Sequence, residues 1–223
     1  MTEQEKLKYV LLENVGFDLA KAKGCYDFIA GESGTAKGNG EKGQLADGIY
    51  FVYADGEPVL FEGEECRKPG GCIGIGVKWG QHAIVVALQD AANGDDITLT
   101  NGDDNTDYDG YIDNYLDAVA DWDGEANTKH LQEIGLNQRI KLKNGWHIPS
   151  LGEMYFVFLN RRRINKALEL VGGTPIKGVW YWTSTEGSAT SAWLLTLSYG
   201  GAGNLFTKAS GKGRVRAVSA FIS

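Results

Sequence analysis

The residues that could act in catalysis are few and scattered along the chain. The three histidines, His82, His130 and His147, lie far apart, and none belongs to a metal-binding spacing such as H-E-x-x-H. Ser184 lies in TSTEG, which lacks the G-x-S-x-G pattern of a nucleophilic serine. Glu186 could act as a general acid, but no second carboxylate is spaced to work with it. We therefore predict that the protein is not an enzyme.

The segment NTDYDGYIDNYLD, residues 105–117, has the spacing of a calcium-binding loop. Gly110 falls at the sharp turn of such a loop, but its last position is Leu116, where a bidentate glutamate is needed, and Asp117 comes one residue late. A weak calcium site and a solvated acidic loop both remain open, and the sequence indicates no other cofactor. The candidate ligands are Asn105, Asp107, Asp109, Tyr111 and Asp113.

The charge and the cysteines limit the class of protein. The 223-residue chain has 22 basic and 29 acidic side chains, a formal net charge of −7, which argues against a nucleic acid partner. No apolar run approaches the roughly 18 residues of a membrane span, so membrane insertion is not expected. Cys66 and Cys72 could form a small disulfide loop in an exported protein, but the start MTEQEKLKYV lacks a signal-peptide pattern. We expect free thiols in a protein made in the cytoplasm. If a leader was trimmed from the chain, the protein would instead be exported.

The chain is predicted to contain three parts. Residues 1–32 form a helical segment, because Thr2 and Glu5 make a capping box ahead of apolar residues at helical spacing and a second helix is expected over 18–29. Residues 33–43 form a Gly-rich linker. Residues 44–223 form the main domain.

The main domain shows short apolar runs between turn residues, which predicts strands. Between them, Ser150 and Glu153 form a capping box, and the helix that follows is expected to end at Gly172 and Gly173. This order predicts an α+β fold with short, mostly antiparallel strands, two helices and long Gly-rich loops. The predicted strand segments are 48–56, 57–63, 72–90, 179–187, 191–201, 204–211 and 213–223.

Five segments, taken in order, resemble the C-type-lectin-fold domains of the formylglycine-generating-enzyme-like branch. The resemblance covers roughly residues 44–223 and implies a C-type-lectin-like fold. The calcium-ligand tripeptides of sugar-binding lectins are absent, and the C-terminal half has no cysteine to match the active-site pair of the enzymes. The segments are ADWDGEANT (120–128), NGWHIPSLGEM (144–154), INKALELVGGTPI (164–176), YWTSTEGSATSAW (181–193) and KGRVRAVSAF (212–221).

Within that branch, the chain is similar to the variable proteins of diversity-generating retroelements, which include phage receptor-binding and bacterial surface proteins. In those proteins, a stretch between a YWSSTE-like start and a VRAV-like end is rewritten at chosen codons to change the ligand. Here that stretch would be residues 181–218. Between Gly187 and Gly211, only Trp193 and Lys208 fall outside the residues that adenine-directed change at asparagine codons can yield. The resemblance implies a variable binding surface.

Strand geometry divides this stretch into two faces. Because side chains alternate along a strand, Trp193, Leu195 and Leu197 are expected to face the core, and Leu194 and Thr196 the opposite side. Small polar residues with an occasional tyrosine are typical of antibody contact loops. The predicted ligand-contacting residues are Ser188, Thr190, Ser191, Leu194, Thr196, Ser198, Tyr199, Asn204 and Phe206.

These features favour a non-enzymatic ligand- or receptor-binding protein of phage or bacterial origin. Its partner would be a protein or a glycan on a target cell surface, and the chain could be carried on a virion. The alternative is a structural attachment or assembly subunit whose lectin-like domain only packs against neighbours. In that case, residues 1–32 would mediate docking or formation of a homo-oligomer.

Overall fold

Nine strands and three α-helices make up the part of the chain that the computed structural model describes, residues 45–54, 58–62, 70–102 and 108–221. All of these belong to the unit Leu45–Ser223, into which the chain divides after residue 44. The mixture of antiparallel sheets and helices confirms the α+β class. The predicted helices of residues 1–32, the linker 33–43 and Cys66 lie outside the described residues.

The elements agree closely with the predicted strand segments. The run 72–90 forms a hairpin of two strands, and the last predicted segment shortens to three residues. Among the described helices, none is long and apolar enough to cross a bilayer. The elements, in chain order, are β1 (Gly48–Tyr53), β2 (Pro58–Leu60), β3 (Cys72–Trp79), β4 (His82–Ala87), α1 (Tyr115–Ala120), α2 (Gly124–Ile134), β5 (Trp146–His147), α3 (Leu151–Leu170), β6 (Trp180–Glu186), β7 (Ser191–Thr196), β8 (Ala202–Thr207) and β9 (Val218–Ala220).

Helix α3 begins and ends as its sequence predicts. The backbone N–H of Ser150 donates to the Glu153 carboxylate at 2.8 Å, and the Ser150 hydroxyl accepts from the Glu153 N–H at 3.3 Å, which completes the capping box. After the helix, Gly172 takes a left-handed conformation with φ +73°. The prediction of this helix is confirmed.

The sequence pattern does not predict helices α1 and α2 as separate elements. The described chain therefore has three α-helices where two were expected. Helix α1 has six residues and depends on Asn114, whose side chain accepts from two backbone N–H groups of the first turn. Helix α2 buries only Gly124, Thr128 and Leu131. Its buried stripe holds only one large apolar residue, Leu131, so the segment has few apolar residues by which the sequence could indicate a helix.

The strands form two antiparallel sheets. The six-stranded sheet has the order β2-β1-β3-β4-β9-β5, and the three-stranded sheet has the order β6-β7-β8. One side of the three-stranded sheet, with Trp193 and Leu195, joins the main core with α3 and the larger sheet. Its other side, with Trp182 and Leu194, packs in a second cluster that includes Leu99. The three-stranded sheet is therefore covered on both faces.

Candidate contact surface

The predicted ligand-contacting residues do not form one surface. Ser188, Thr190 and Ser191 lie at the turn between β6 and β7, whereas Ser198 and Tyr199 lie at the turn between β7 and β8. Strand β7 has six residues, and at about 3.3 Å per residue it holds the two turns roughly 20 Å apart. The structure thus presents two separate turns.

Leu194 and Thr196 cannot contact a ligand, so this part of the prediction is wrong. Their exposed fractions are 0% and 3%. Leu194 packs in the second hydrophobic cluster, and the Thr196 hydroxyl lies 2.8 Å from that of Ser198. The alternation of side chains along β7 is as expected, but both faces of the strand are covered.

The β6–β7 turn is fixed by its own small polar side chains. The hydroxyls of Ser188 and Ser191 are 2.8 Å apart, and the Ser188 hydroxyl accepts from the backbone N–H groups of Thr190 and Ser191 at 3.3 and 3.1 Å. The N–H of Gly187 donates to the Ser191 carbonyl at 2.9 Å. Thr190 is exposed at the tip. This turn is a rigid polar projection.

Asn204 and Phe206 are half-buried and make structural contacts. The Asn204 amide donates to the backbone carbonyl of Asp113 at 3.1 Å, which ties β8 to the acidic loop. The Phe206 ring lies 5.3 Å from the ring of Trp180, between centroids. Both side chains therefore stabilise the sheet, with only part of each reaching solvent.

The described half of the calcium-loop segment packs along the three-stranded sheet. The Ile112 N–H donates to the Glu186 carbonyl at 2.8 Å, and the Trp193 indole donates to the Ile112 carbonyl at 2.7 Å. Asp109 and Asp113 are exposed, and Tyr111 is half-buried. Asn105 and Asp107 lie outside the described residues, within which no group of three His, Cys, Asp or Glu side chains is placed to hold a metal. The weak calcium site and the solvated acidic loop both stay as interpretations of this segment.

A buried charged cluster, missed by the sequence reasoning, surrounds Glu186. One carboxylate oxygen accepts from the Lys208 ammonium, and the other lies 2.6 Å from Nδ1 of His130. The ring of Tyr108 stacks on His130 at 3.6 Å, and burial together with the charge of Glu186 raises the pKa of the Tyr108 hydroxyl. Both oxygens of Glu186 are thus paired, which leaves neither free to act as a general acid on a substrate.

A second buried cluster joins the two ends of the 181–218 stretch. Asp90 accepts from Arg216 at 2.6 Å, from Arg214 at 3.3 Å and from the Tyr181 hydroxyl at 3.1 Å. Burial and the nearby Asp90 raise the pKa of Tyr181 to about 12, so its hydroxyl remains a donor. The basic residues near the VRAV-like end are therefore structural. Their partner, Asp90, lies more than 90 positions from Tyr181, and no local pattern indicates it.

Each of the three histidines has a partner. His130 pairs with Glu186, Nε2 of His147 lies 3.0 Å from the Glu153 carboxylate, and the His82 ring stacks on Trp122 with 3.7 Å between centroids. Desolvation lowers the pKa of His82. These contacts agree with structural roles for the histidines.

A group of large apolar side chains, four exposed and one half-buried, lies beside the β7–β8 turn. We call it the aromatic patch and define it as Tyr115, Leu116, Tyr155, Leu159 and Tyr199. Only Tyr199 was indicated by the sequence. The others lie on α1 and α3, and their adjacency to the turn depends on tertiary packing.

The architecture is similar to that of a solved bacterial protein. It is a fimbrial protein from Bacteroides ovatus ATCC 8483, whose crystal structure matches with a TM-score of 0.59 and 18% sequence identity over 79% of this chain and 49% of that chain. At this identity, the likeness shows a common fold. The described chain spans about half the length of the fimbrial protein. No protein-family model matches the sequence, and a search of curated proteins finds no match.

Proposed function

We propose that this chain is a non-enzymatic bacterial surface protein that attaches to a partner molecule through the β6–β7 turn. The β7–β8 turn would be a second contact surface. The fold shared with a fimbrial protein supports a place on the cell surface. The observation that carries the proposal is the polar β6–β7 turn, where Thr190 is exposed at the tip and the half-buried Ser188 and Ser191 hold the turn by hydrogen bonds, at the end of a sheet that is buried on both faces.

Several features of this turn suit molecular recognition. Its serine and threonine side chains are short, and hydrogen bonds within the turn already order them. Binding a partner through them therefore costs little conformational entropy. Binding residues on loops held by a rigid scaffold are the usual arrangement in such proteins. The partner would be a protein or a glycan on a target cell. We also propose that the domain has a C-type-lectin-like fold.

The proposal also limits where a retroelement could diversify the protein. Exposed positions at the two turns can change at little cost in stability. Variation would therefore be concentrated at the exposed Thr190, Ser198 and Tyr199, and would be more costly at the half-buried Ser188 and Ser191.

The proposal is tested by the binding of fluorescently labelled protein to a panel of bacterial and mammalian cells. We expect a Thr190→Arg variant to bind a responsive cell type at least about tenfold more weakly, because the new side chain blocks the turn. Lys143→Arg, at another exposed position, is the matched control. Both variants should retain the urea midpoint of the wild type. Unchanged binding by Thr190→Arg, or no binding to any cell type, would contradict the proposal.

Calcium binding by residues 105–117 is tested separately by thermal melting. We expect a chelator to leave the melting temperature unchanged, because Leu116 stands where the bidentate glutamate is required. A higher melting temperature in excess calcium, reversed by the chelator, would instead establish the site.

A further inference from the structure

The aromatic patch concentrates the exposed large apolar side chains of the described chain. Four of the five such residues belong to it: Tyr115, Leu116, Leu159 and Tyr199 have exposed fractions of 39, 58, 41 and 73%. Tyr155 connects them. Its hydroxyl lies 2.9 Å from that of Tyr115 and donates to the Gly200 carbonyl of the β7–β8 turn at 2.8 Å. A concentration of exposed apolar side chains on neighbouring elements marks an interaction site.

The patch is held in place before any partner arrives. The hydrogen bonds of Tyr155 fix α1 and the β7–β8 turn to α3, and burial raises the pKa of the Tyr155 hydroxyl, so that it stays protonated. The turn also lies directly against α3, because a Cβ at Gly200 would come within 2.7 Å of the Phe158 ring. Side chains that are already ordered lose little entropy on binding.

The two margins of the patch carry opposite charge. On one side is Asp117, which is exposed. On the other side are Arg162 and Lys166, which follow Leu159 on the same face of α3 and are exposed. Within the described chain, none of these three side chains takes part in an ion pair.

The order of these charges along α3 follows from the packing of α1. The backbone carbonyl of Val119 would lie 2.7 Å from a Cβ at Gly152, so the end of α1 meets the first turn of α3, while Tyr115 meets Tyr155. Asp117 therefore lies near the start of α3. Arg162 is seven residues beyond Tyr155, or about 10 Å along the axis. The acidic margin, the apolar centre and the basic margin therefore follow one another in the direction of the α3 axis.

Such a surface is complementary to a copy of itself turned by 180°. In that arrangement, the two apolar centres meet, and Asp117 of each copy faces Arg162 of the other. Isologous contacts of this type are the commonest in homo-oligomers. We propose that the aromatic patch binds a second copy of this chain in a two-fold symmetric pair.

This inference rests on the proposed function only in treating the β7–β8 turn as a contact surface. The pair would cover Tyr199 and leave the β6–β7 turn open, because the two turns are separated by the length of β7. A patch of a few hundred Å² is below the size of a stable obligate interface, so a weak, concentration-dependent dimer is expected.

The test is sedimentation velocity of the full chain over about a hundredfold range of concentration. We expect the weight-average mass to rise toward that of a dimer, and high salt to weaken the association because it screens the two charge contacts. The variants Asp117→Arg and Arg162→Asp should each raise the dissociation constant at least about tenfold. In a two-fold symmetric pair, each variant places like charges opposite one another at both charge contacts. Leu116→Ser should also weaken the pair, because it removes apolar contact area.

An equimolar mixture of Asp117→Arg and Arg162→Asp is the decisive sample. Their mixed pair restores both opposite-charge contacts, so association should return to the wild-type level. Lys143→Asp, a charge reversal at an exposed position of another loop, is the matched control and should leave association unchanged.

Three results would overturn the inference: a monomer at all concentrations, a dimer that the variants do not weaken, or a mixture that does not recover. A dimer unaffected by the variants would place the contact elsewhere in the chain. Cell binding by the Thr190 variant is measured independently. If it is normal while the mixture pairs as expected, only the proposed function fails.

Discussion

Charged residues near the 181–218 stretch mainly form buried ion pairs that stabilise the fold. Glu186 and Asp90 are both buried, and each is paired with cations from distant parts of the chain. A buried carboxylate is stable only when it is paired and hydrogen-bonded. The carboxylates that could suggest acid–base chemistry therefore have a structural role in the folding of the sheet.

Removal of the Lys208 ammonium should destabilise the protein strongly. We expect Lys208→Met to lower the free energy of unfolding by about 3 kcal/mol, because it leaves a Glu186 oxygen buried without its cation. Urea denaturation followed by tryptophan fluorescence measures this loss. The double variant Lys208→Met with Glu186→Gln should lose less than the sum of the two single variants. A loss below about 1 kcal/mol for Lys208→Met would contradict the anchoring role.

The stability of the protein should depend on pH through His82. Desolvation lowers the folded-state pKa of this histidine, so the unfolded chain binds its proton first as the pH falls below about 6.5. Wild-type stability should therefore fall between pH 8 and pH 5 by more than that of His82→Phe, which keeps a ring against Trp122. The difference should be below about 1 kcal/mol, because the exposed ring is partly screened by solvent. Parallel pH curves for the two proteins would contradict this prediction.

Among the elements, α3 and β7 show how far the sequence determines the structure. The capping box of Ser150 and Glu153 is a local signal, and the helix that it predicts is present. The alternation along β7 is also local and correct. That both faces of β7 are covered depends on the distant segment around Leu99 and on α2, so the burial of Leu194 could not be predicted from its own neighbourhood. The aromatic patch was missed for the same reason.

The packing of α1 on α3 requires a glycine at position 152. A Cβ there would lie 2.4 Å from the Asp121 carbonyl and 2.7 Å from that of Val119. We expect Gly152→Ala to destabilise the protein by about 1 to 3 kcal/mol, even though alanine favours a helix over glycine by up to about 1 kcal/mol. Thermal and urea unfolding measure the loss.

Gly102→Ala is the matched control, since among the described residues no atom beyond its chain neighbours lies within 4 Å of a Cβ at that position. It should leave the stability within about 0.5 kcal/mol of the wild type. If Gly152→Ala proved stabilising, the close approach of α1 to α3 would be wrong. The support for Tyr115 in the aromatic patch would then be lost as well.

At the scale of the whole molecule, the three-stranded sheet is a rigid spacer between two surfaces. Its faces are buried in two different hydrophobic clusters, so side chains of the 181–218 stretch reach solvent chiefly at its turns. One turn is small and polar, and the other joins an apolar patch. This arrangement allows a protein of this fold to contact an external partner at one end and a copy of itself at the other.

The same arrangement predicts which positions tolerate simultaneous change. Replacements at the exposed turn residues Thr190, Ser198 and Tyr199 should each alter stability by about 0.5 kcal/mol or less. Replacement of the half-buried Ser188 or Ser191 removes hydrogen bonds of the turn and should cost about 1 kcal/mol. The summed loss stays below the 5 to 15 kcal/mol that is typical of a domain. A displayed library randomised at these five positions should therefore remain mostly resistant to protease.

The matched control library randomises Leu194 and Thr196 together with Ser188, Thr190 and Ser191. Replacement of the buried Leu194 by a small residue costs about 2 to 5 kcal/mol, and a polar residue there adds an unpaired buried group. Most members of this library should be cleaved. Because both libraries change five positions, equal resistance would show that burial of β7 does not limit diversification. Cleavage of the first library would show that the turns themselves hold the fold together.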